Sequence, residues 1–159
     1  MSFLQVSRKV DYALRAVIHL ANEEASARAC SVAEIAARER IPRQFLEKIV
    51  QQLIHTGLVR SRRGPHGGYV LGRPANQMTF RDVIEAVEGP ISLNVCVGEH
   101  PDCFLLGACG MNRVWAEGQR RVMDLFENTT IASVRHPVGQ ALQEGKTPEF
   151  STQGAVQAT

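Results

Sequence analysis

The sequence contains no run of 18 apolar residues, and its start, MSFLQVSRKV, lacks the apolar stretch of a secretory signal. A membrane-spanning helix needs roughly 20 apolar residues in a row, so no membrane role is expected and a cytoplasmic protein is. Aromatic residues are scarce at 6%, although a hydrophobic fraction of 44% is enough for an ordinary core. There is no phosphate loop, cofactor fingerprint or nucleophile–base arrangement, which argues against an enzyme and against a small-molecule substrate. The two-residue cysteine spacing of ferredoxins is missing too, so an electron carrier is not expected.

Net charge is also nearly absent, at +2 over 159 residues, but it is unevenly spread. Between Arg38 and Arg73 eight Arg and Lys residues stand against Glu39 and Glu47, a surplus of six, and the remainder of the chain is acidic by four. A basic block in a near-neutral chain is either a solvated face or a surface for phosphates.

Three of the four cysteines gather in residues 95–110, VCVGEHPDCFLLGACG. Six residues separate Cys96 from Cys103, and five separate Cys103 from Cys109. In a reducing compartment such thiols point to metal or redox chemistry more than to disulfides. They suit an iron–sulfur cluster, with one position left for a weaker ligand or solvent. Zinc with His100 as fourth ligand, a metal-free thiol switch and a purely structural loop are the other readings. Cys30 stands apart as a small semi-buried residue, and His19 and His55 are expected to make local polar contacts.

The chain before this loop has a definite order. Residues 7–22 form a helix with Ser7 as N-cap and a stripe of Val6, Val10, Leu14, Val17 and Ala21. Ser31 and Glu34 have the spacing of a capping box and open a second helix. Pro42 is expected at the first position of a third helix, with Phe45, Leu46, Ile49, Leu53 and Ile54 on its buried face and Gly57 as a left-handed cap. Arg43, Gln44, Glu47, Lys48 and Gln51 remain on the other face. Two helices joined by a short turn, the second polar-faced, make a helix-turn-helix pattern.

Residues 58–62 and 69–71 are β-prone and flank RGPHGG, a hairpin whose tip carries Arg62, Arg63 and His66. The whole is therefore mainly α with a small β-hairpin wing, a winged helix-turn-helix. Arg43, Gln44, Glu47 and Lys48 are the candidates for base edges, and Arg62, Arg63 and His66 for phosphates or the minor groove.

Thr79 opens a fourth helix. After Gly110 a longer one carries Val114, Trp115, Val122, Leu125 and Phe126 at helical steps, with little in so small a domain to bury against. A two-fold dimer seam is the natural use, with a palindromic double-stranded DNA site as partner. The expected organisation is residues 1–90 for DNA binding, 91–110 for the cysteine loop, 111–142 for dimerisation and a last short helix, and 143–159 as a disordered polar tail.

Four stretches carry a family likeness: VDYALRAVIHLA, FLEKIVQQLIHTGLVRSRRGPHGGYVLGRPA, FRDVIEAVEGPISL, and three cysteines before a long helix. With these the chain resembles the IscR/NsrR family of bacterial winged-helix regulators over roughly residues 5–135. The resemblance implies a transcriptional regulator, in the manner of a repressor, carrying an iron–sulfur cluster that senses cluster supply, iron, redox state or nitric oxide. DYALRA and PISLNVC look closer to NsrR than to IscR. The histidine that completes an IscR-type [2Fe–2S] site is replaced here by Asn112. The acidic residue that completes an NsrR-type [4Fe–4S] site, given by the partner's first helix, corresponds to Asp11. The resemblance thus implies Cys96, Cys103, Cys109 and a partner's Asp11 as ligands of a [4Fe–4S] cluster, with [2Fe–2S] as the alternative. The first cysteine gap is one residue longer than the family pattern.

Overall fold

The computed structural model describes residues 5–106 and 108–135. Five helices and one hairpin follow in order: α1 (Arg8–Asn22), α2 (Val32–Glu39), α3 (Arg43–His55), β1 (Val59–Arg62), β2 (Gly68–Leu71), α4 (Phe80–Glu88) and α5 (Gly110–Asn128), with 3-10 turns at Ala75–Gln77 and Ile131–Val134.

Each helix start has a local cause. The Ser7 hydroxyl accepts the Val10 N–H at 3.2 Å, and the Ser31 hydroxyl accepts that of Glu34 at 3.1 Å. These satisfy donors that a helix leaves unpaired at its first turn. The expected capping box at Ser31 is half-formed, because the Glu34 carboxylate turns to Arg28 instead, 2.7 Å away. The complete box is at α4: Thr79 accepts the Asp82 N–H, and Asp82 accepts the Thr79 N–H at 2.7 Å. Pro42 caps α3 from one position before its first residue, not from within it.

The core is one cluster, with Val17, Ile35, Leu46, Leu53, Met78, Val83 and Ile131 among its fully buried members. Helix α1 lies at its centre and packs against α4 and α3. Two apolar assignments are corrected. Phe45 is 60% exposed, and Val50 takes its place in the buried stripe Leu46, Ile49, Val50, Leu53. That stripe holds the three- and four-residue steps, and Phe45 sits about 100° off Leu46 around the helix axis. Val6 is also exposed, since it precedes the N-cap of α1.

The hairpin is antiparallel, with Val59 opposite Leu71 and Arg62 opposite Gly68. Gly72 makes it possible: a Cβ there would stand 2.0 Å from the Gly57 carbonyl oxygen. The hairpin is fastened to the α1–α2 connection, where Cys30 and Tyr69 exchange main-chain bonds of 3.0 and 2.8 Å.

Helix α5 stands apart from the core. None of its side chains is buried, in a helix of 19 residues. Its C-terminal end returns to α4: the Phe80 and Phe126 rings are 5.4 Å apart, Thr129 accepts the Phe80 N–H at 2.8 Å, and Arg81 pairs with Glu127. Of the last short helix expected over 130–142, the turn Ile131–Val134 is present; residues 136–142 and the expected disordered tail lie outside the described residues.

Candidate nucleic-acid interface and cysteine loop

The exposed side of α3 borders a groove of about 710 Å³ lined by Arg43, Gln44, Glu47, Lys48 and Gln51, with the start of α2 on one side and Gly68 and Tyr69 of β2 on the other. All four candidates expected on the third helix therefore share one face. Ser31, Gln51 and Tyr69 line the same groove and were not among the candidates; Gln51 had been placed on the polar face of the helix, but nothing local marks Ser31 or Tyr69. The Arg43 Nε donates to Glu47 Oε1 at 2.8 Å. Both side chains are more than half exposed, so the pair is weak and open to exchange for a phosphate or a base.

The wing candidates divide. Arg63 and His66 are exposed at the tip. Arg62 is not directed outward alone: its Nη1 donates to the Ala27 carbonyl at 2.7 Å, so this guanidinium helps fasten the hairpin to the α1–α2 connection.

Cys96, Cys103 and Cys109 are all free thiols of intermediate burial. Cys109 is the N-cap residue at which α5 begins. Asn112, in the first turn of α5, donates to the Cys96 carbonyl at 3.4 Å. The start of the loop is held by Gln119, which accepts the Leu93 N–H at 2.9 Å and donates to the Ile91 carbonyl at 2.7 Å. The loop is thus tied to α5 at both ends.

Ligands of one tetrahedral zinc ion would lie about 3.8 Å apart, from Zn–S bonds of about 2.3 Å. Among the described residues, the loop thiols and His100 form no group of three within 4.8 Å of one another, so a preformed single-ion site is not present. A multi-iron cluster spaces its thiolates more widely, and three free, half-buried thiols on one short loop fit its donor chemistry. Asp11 is on the first turn of α1, more than half exposed and 3.4 Å from Arg15. It forms no such group with the thiols of its own chain.

A winged helix-turn-helix with a polar recognition face and a basic wing defines a DNA-binding regulator, and the comparisons agree. The model of the Rrf2 family, described as an iron-dependent transcriptional regulator, matches residues 6–137. The Mycobacterium tuberculosis (strain H37Rv) HTH-type transcriptional regulator Rv1287 is 34% identical over 143 residues, 89% of this chain and 85% of the relative. The structure of CymR, the global cysteine regulator of B. subtilis, is 30% identical with a TM-score of 0.69, covering 83% of this chain and 96% of that one. IscR of T. potens shares the fold with a TM-score of 0.68 at 24% identity, over 92% and 94% of the two chains. The chain belongs to the Rrf2 family and is a transcriptional regulator, not an enzyme. Among the described residues no helix is long and apolar enough to cross a membrane.

Proposed function

We propose that the protein is a homodimeric repressor, NsrR-like, whose hold on a palindromic operator is set by an iron–sulfur cluster. Cys96, Cys103 and Cys109 would hold the cluster, with Asp11 of the partner subunit as the fourth ligand; [4Fe–4S] is favoured over [2Fe–2S]. The observation that carries this reading is the loop itself, in which three free half-buried thiols are fastened at both ends to a helix with no buried residue. A bound cluster would supply ligation sensitive to nitric oxide, oxygen and iron supply.

The chain's own residues relay the change. Gln119 and Asn112 couple the loop to α5. The Phe80–Phe126 contact and the Arg81–Glu127 pair couple α5 to α4. Helix α4 packs against α1 and against the recognition helix α3. In a dimer whose α5 helices face each other, a shift of the loop alters the separation of the two α3 helices, and palindrome affinity depends on that separation. On DNA, Arg43, Gln44, Glu47 and Lys48 approach base edges, while Arg63 and His66, with Arg62 behind them, meet the backbone or the minor groove.

A metal-free thiol switch in the loop is the second reading. It is favoured by the likeness to CymR, named as a global cysteine regulator. Anaerobic purification with absorption and Mössbauer spectra, wild type beside Asp11→Ala, separates the two. [4Fe–4S] parameters perturbed in the variant support the first reading. A [2Fe–2S] spectrum indifferent to Asp11 removes the partner ligand from it. A colourless, iron-free protein overturns the cluster altogether.

A further inference from the structure

Away from the loop the fold assembles a second set of donor side chains, used neither by the DNA face nor by the proposed cluster. His19 near the end of α1, Cys30 on the strand-like bridge to the hairpin and Glu34 in the first turn of α2 each offer one ligand atom, and these atoms lie within 4.8 Å of one another. His19 is 6% exposed and Cys30 0%.

The histidine is prepared in a specific way. Its Nδ1 lies 2.9 Å from Glu39 Oε1, a contact in which an imidazole N–H donates to the carboxylate. Nε2 is buried and without a hydrogen-bond partner, and in the neutral tautomer protonated at Nδ1 it offers a lone pair. A carboxylate behind an imidazole whose other nitrogen is unprotonated is the arrangement that orients histidine ligands on metal ions. Glu39 is itself held by Arg15, 3.7 Å away. The Cys30 thiol is fully buried beside it, and a thiol becomes a ligand when an ion displaces its proton.

We propose that His19, Cys30 and Glu34 form a site for one divalent cation of the zinc class, with three protein ligands and an open fourth position. The thiolate and imidazole select a borderline-soft ion over magnesium or calcium, and the separation of the donors fits the ligand spacing of a single tetrahedral ion. On binding, the Cys30 S–H bond breaks, a sulfur–metal bond forms, and the proton leaves to solvent with the displaced water. Glu34, partly exposed, opens the site to the outside. Arg28 must release Glu34, and it keeps its second partner, Glu23, at 2.9 Å. Because the main chain of Cys30 is paired with Tyr69, the ion joins α1, the start of α2 and the hairpin at the edge of the DNA groove. It would fix the wing relative to the recognition helix.

This proposal does not rest on the cluster reading, and the test keeps them apart. The full chain carrying Cys96→Ser, Cys103→Ser and Cys109→Ser is prepared reduced and metal-free, then titrated with Co²⁺ alone. The expected result is about one equivalent bound, with sulfur-to-cobalt charge-transfer absorption and tetrahedral d–d bands, both displaced by Zn²⁺. Adding Cys30→Ser removes the charge-transfer band. Adding Glu34→Gln, at a partly exposed position where circular dichroism verifies the fold, weakens Co²⁺ binding at least tenfold. Absence of the charge-transfer band, or a binding curve unchanged by Glu34→Gln, overturns the site.

Discussion

The module from α1 to α4 and the segment from residue 89 to α5 are both rich in apolar side chains, yet those side chains meet different surroundings. In the module Val17, Ile35, Leu46, Leu53 and Val83 are sealed from water. In the other segment Val95, Phe104, Met111, Val114 and Leu125 are between 62% and 95% exposed. One region has its stabilising partners within the chain. The other leaves large apolar side chains in water, as the proposed dimer seam would require.

The strongest way to test the contrast is to remove apolar groups from each side. Leu53→Ala, at 0% exposure, should destabilise the protein by about 3 kcal/mol at any protein concentration, as seen by urea unfolding. Val114→Ala, at 71% exposure, should leave the unfolding of the dilute chain within about 0.5 kcal/mol of wild type. Equal losses at the two sites would erase the distinction.

A second test addresses the outer surface directly. If α5 forms the proposed dimer seam, Val114→Asp together with Leu125→Asp should give a monomer in sedimentation where the wild type is a dimer. Operator affinity should fall about 100-fold, equivalent to about 2.7 kcal/mol, because one half-site is lost from the bound complex. A variant that remains dimeric would show that the seam is elsewhere.

The sequence was most legible where structure is set by neighbours. Ser7, Ser31 and Thr79 cap helices because a hydroxyl three residues before a free N–H is a local matter, and Gly57 takes its left-handed turn for an equally local reason, at φ +75°. Phe45 was misread because two stripes, 45–46–49–53 and 46–49–50–53, are both apolar at helical steps, and only tertiary packing chooses between them. The pairings of Cys30 with Tyr69 and of His19 with Glu39 join residues 39 and 20 positions apart. No local pattern announces them, so the cluster of His19, Cys30 and Glu34 could not be read in advance. The loop thiols, by contrast, were evident from residue type alone. The role proposed for Asp11 would need a second subunit and so is the part that one chain does not contain.

A smaller effect lies at the junction of the two regions, where α4 begins. The burial of Asp82 works against its charge, but the hydrogen bonds from Thr79 and the Arg73 guanidinium prevail, and its carboxyl lies below the ordinary 3.8. Asp82→Asn should destabilise by about 1 kcal/mol near neutral pH, the usual scale of a lost cap. A lowered carboxyl contributes stability that is complete above its unfolded value and fades as pH falls through the folded one. The difference between wild type and Asp82→Asn should therefore hold down to about pH 4 and shrink below it. A difference that persists in strong acid would mean that the charge of Asp82 is not the cause.

The finest form of the contrast falls between two adjacent arginines of the hairpin. Arg62 donates to the Ala27 carbonyl and so belongs partly to the inside, whereas Arg63 is exposed at the tip. If Arg63 neutralises one phosphate, Arg63→Ala should reduce the slope of log affinity against log salt by about 0.9, with a loss of only a few-fold at physiological salt. Arg62→Ala should leave most of that slope intact and instead lower the stability of the free protein by about 1 kcal/mol, the net worth of one hydrogen bond. The two variants should therefore exchange ranks between a salt titration and a melting curve. Should both reduce the slope equally, Arg62 would have to leave Ala27 when DNA binds, and the hairpin would be a part that is reset by its partner and not held ready for it.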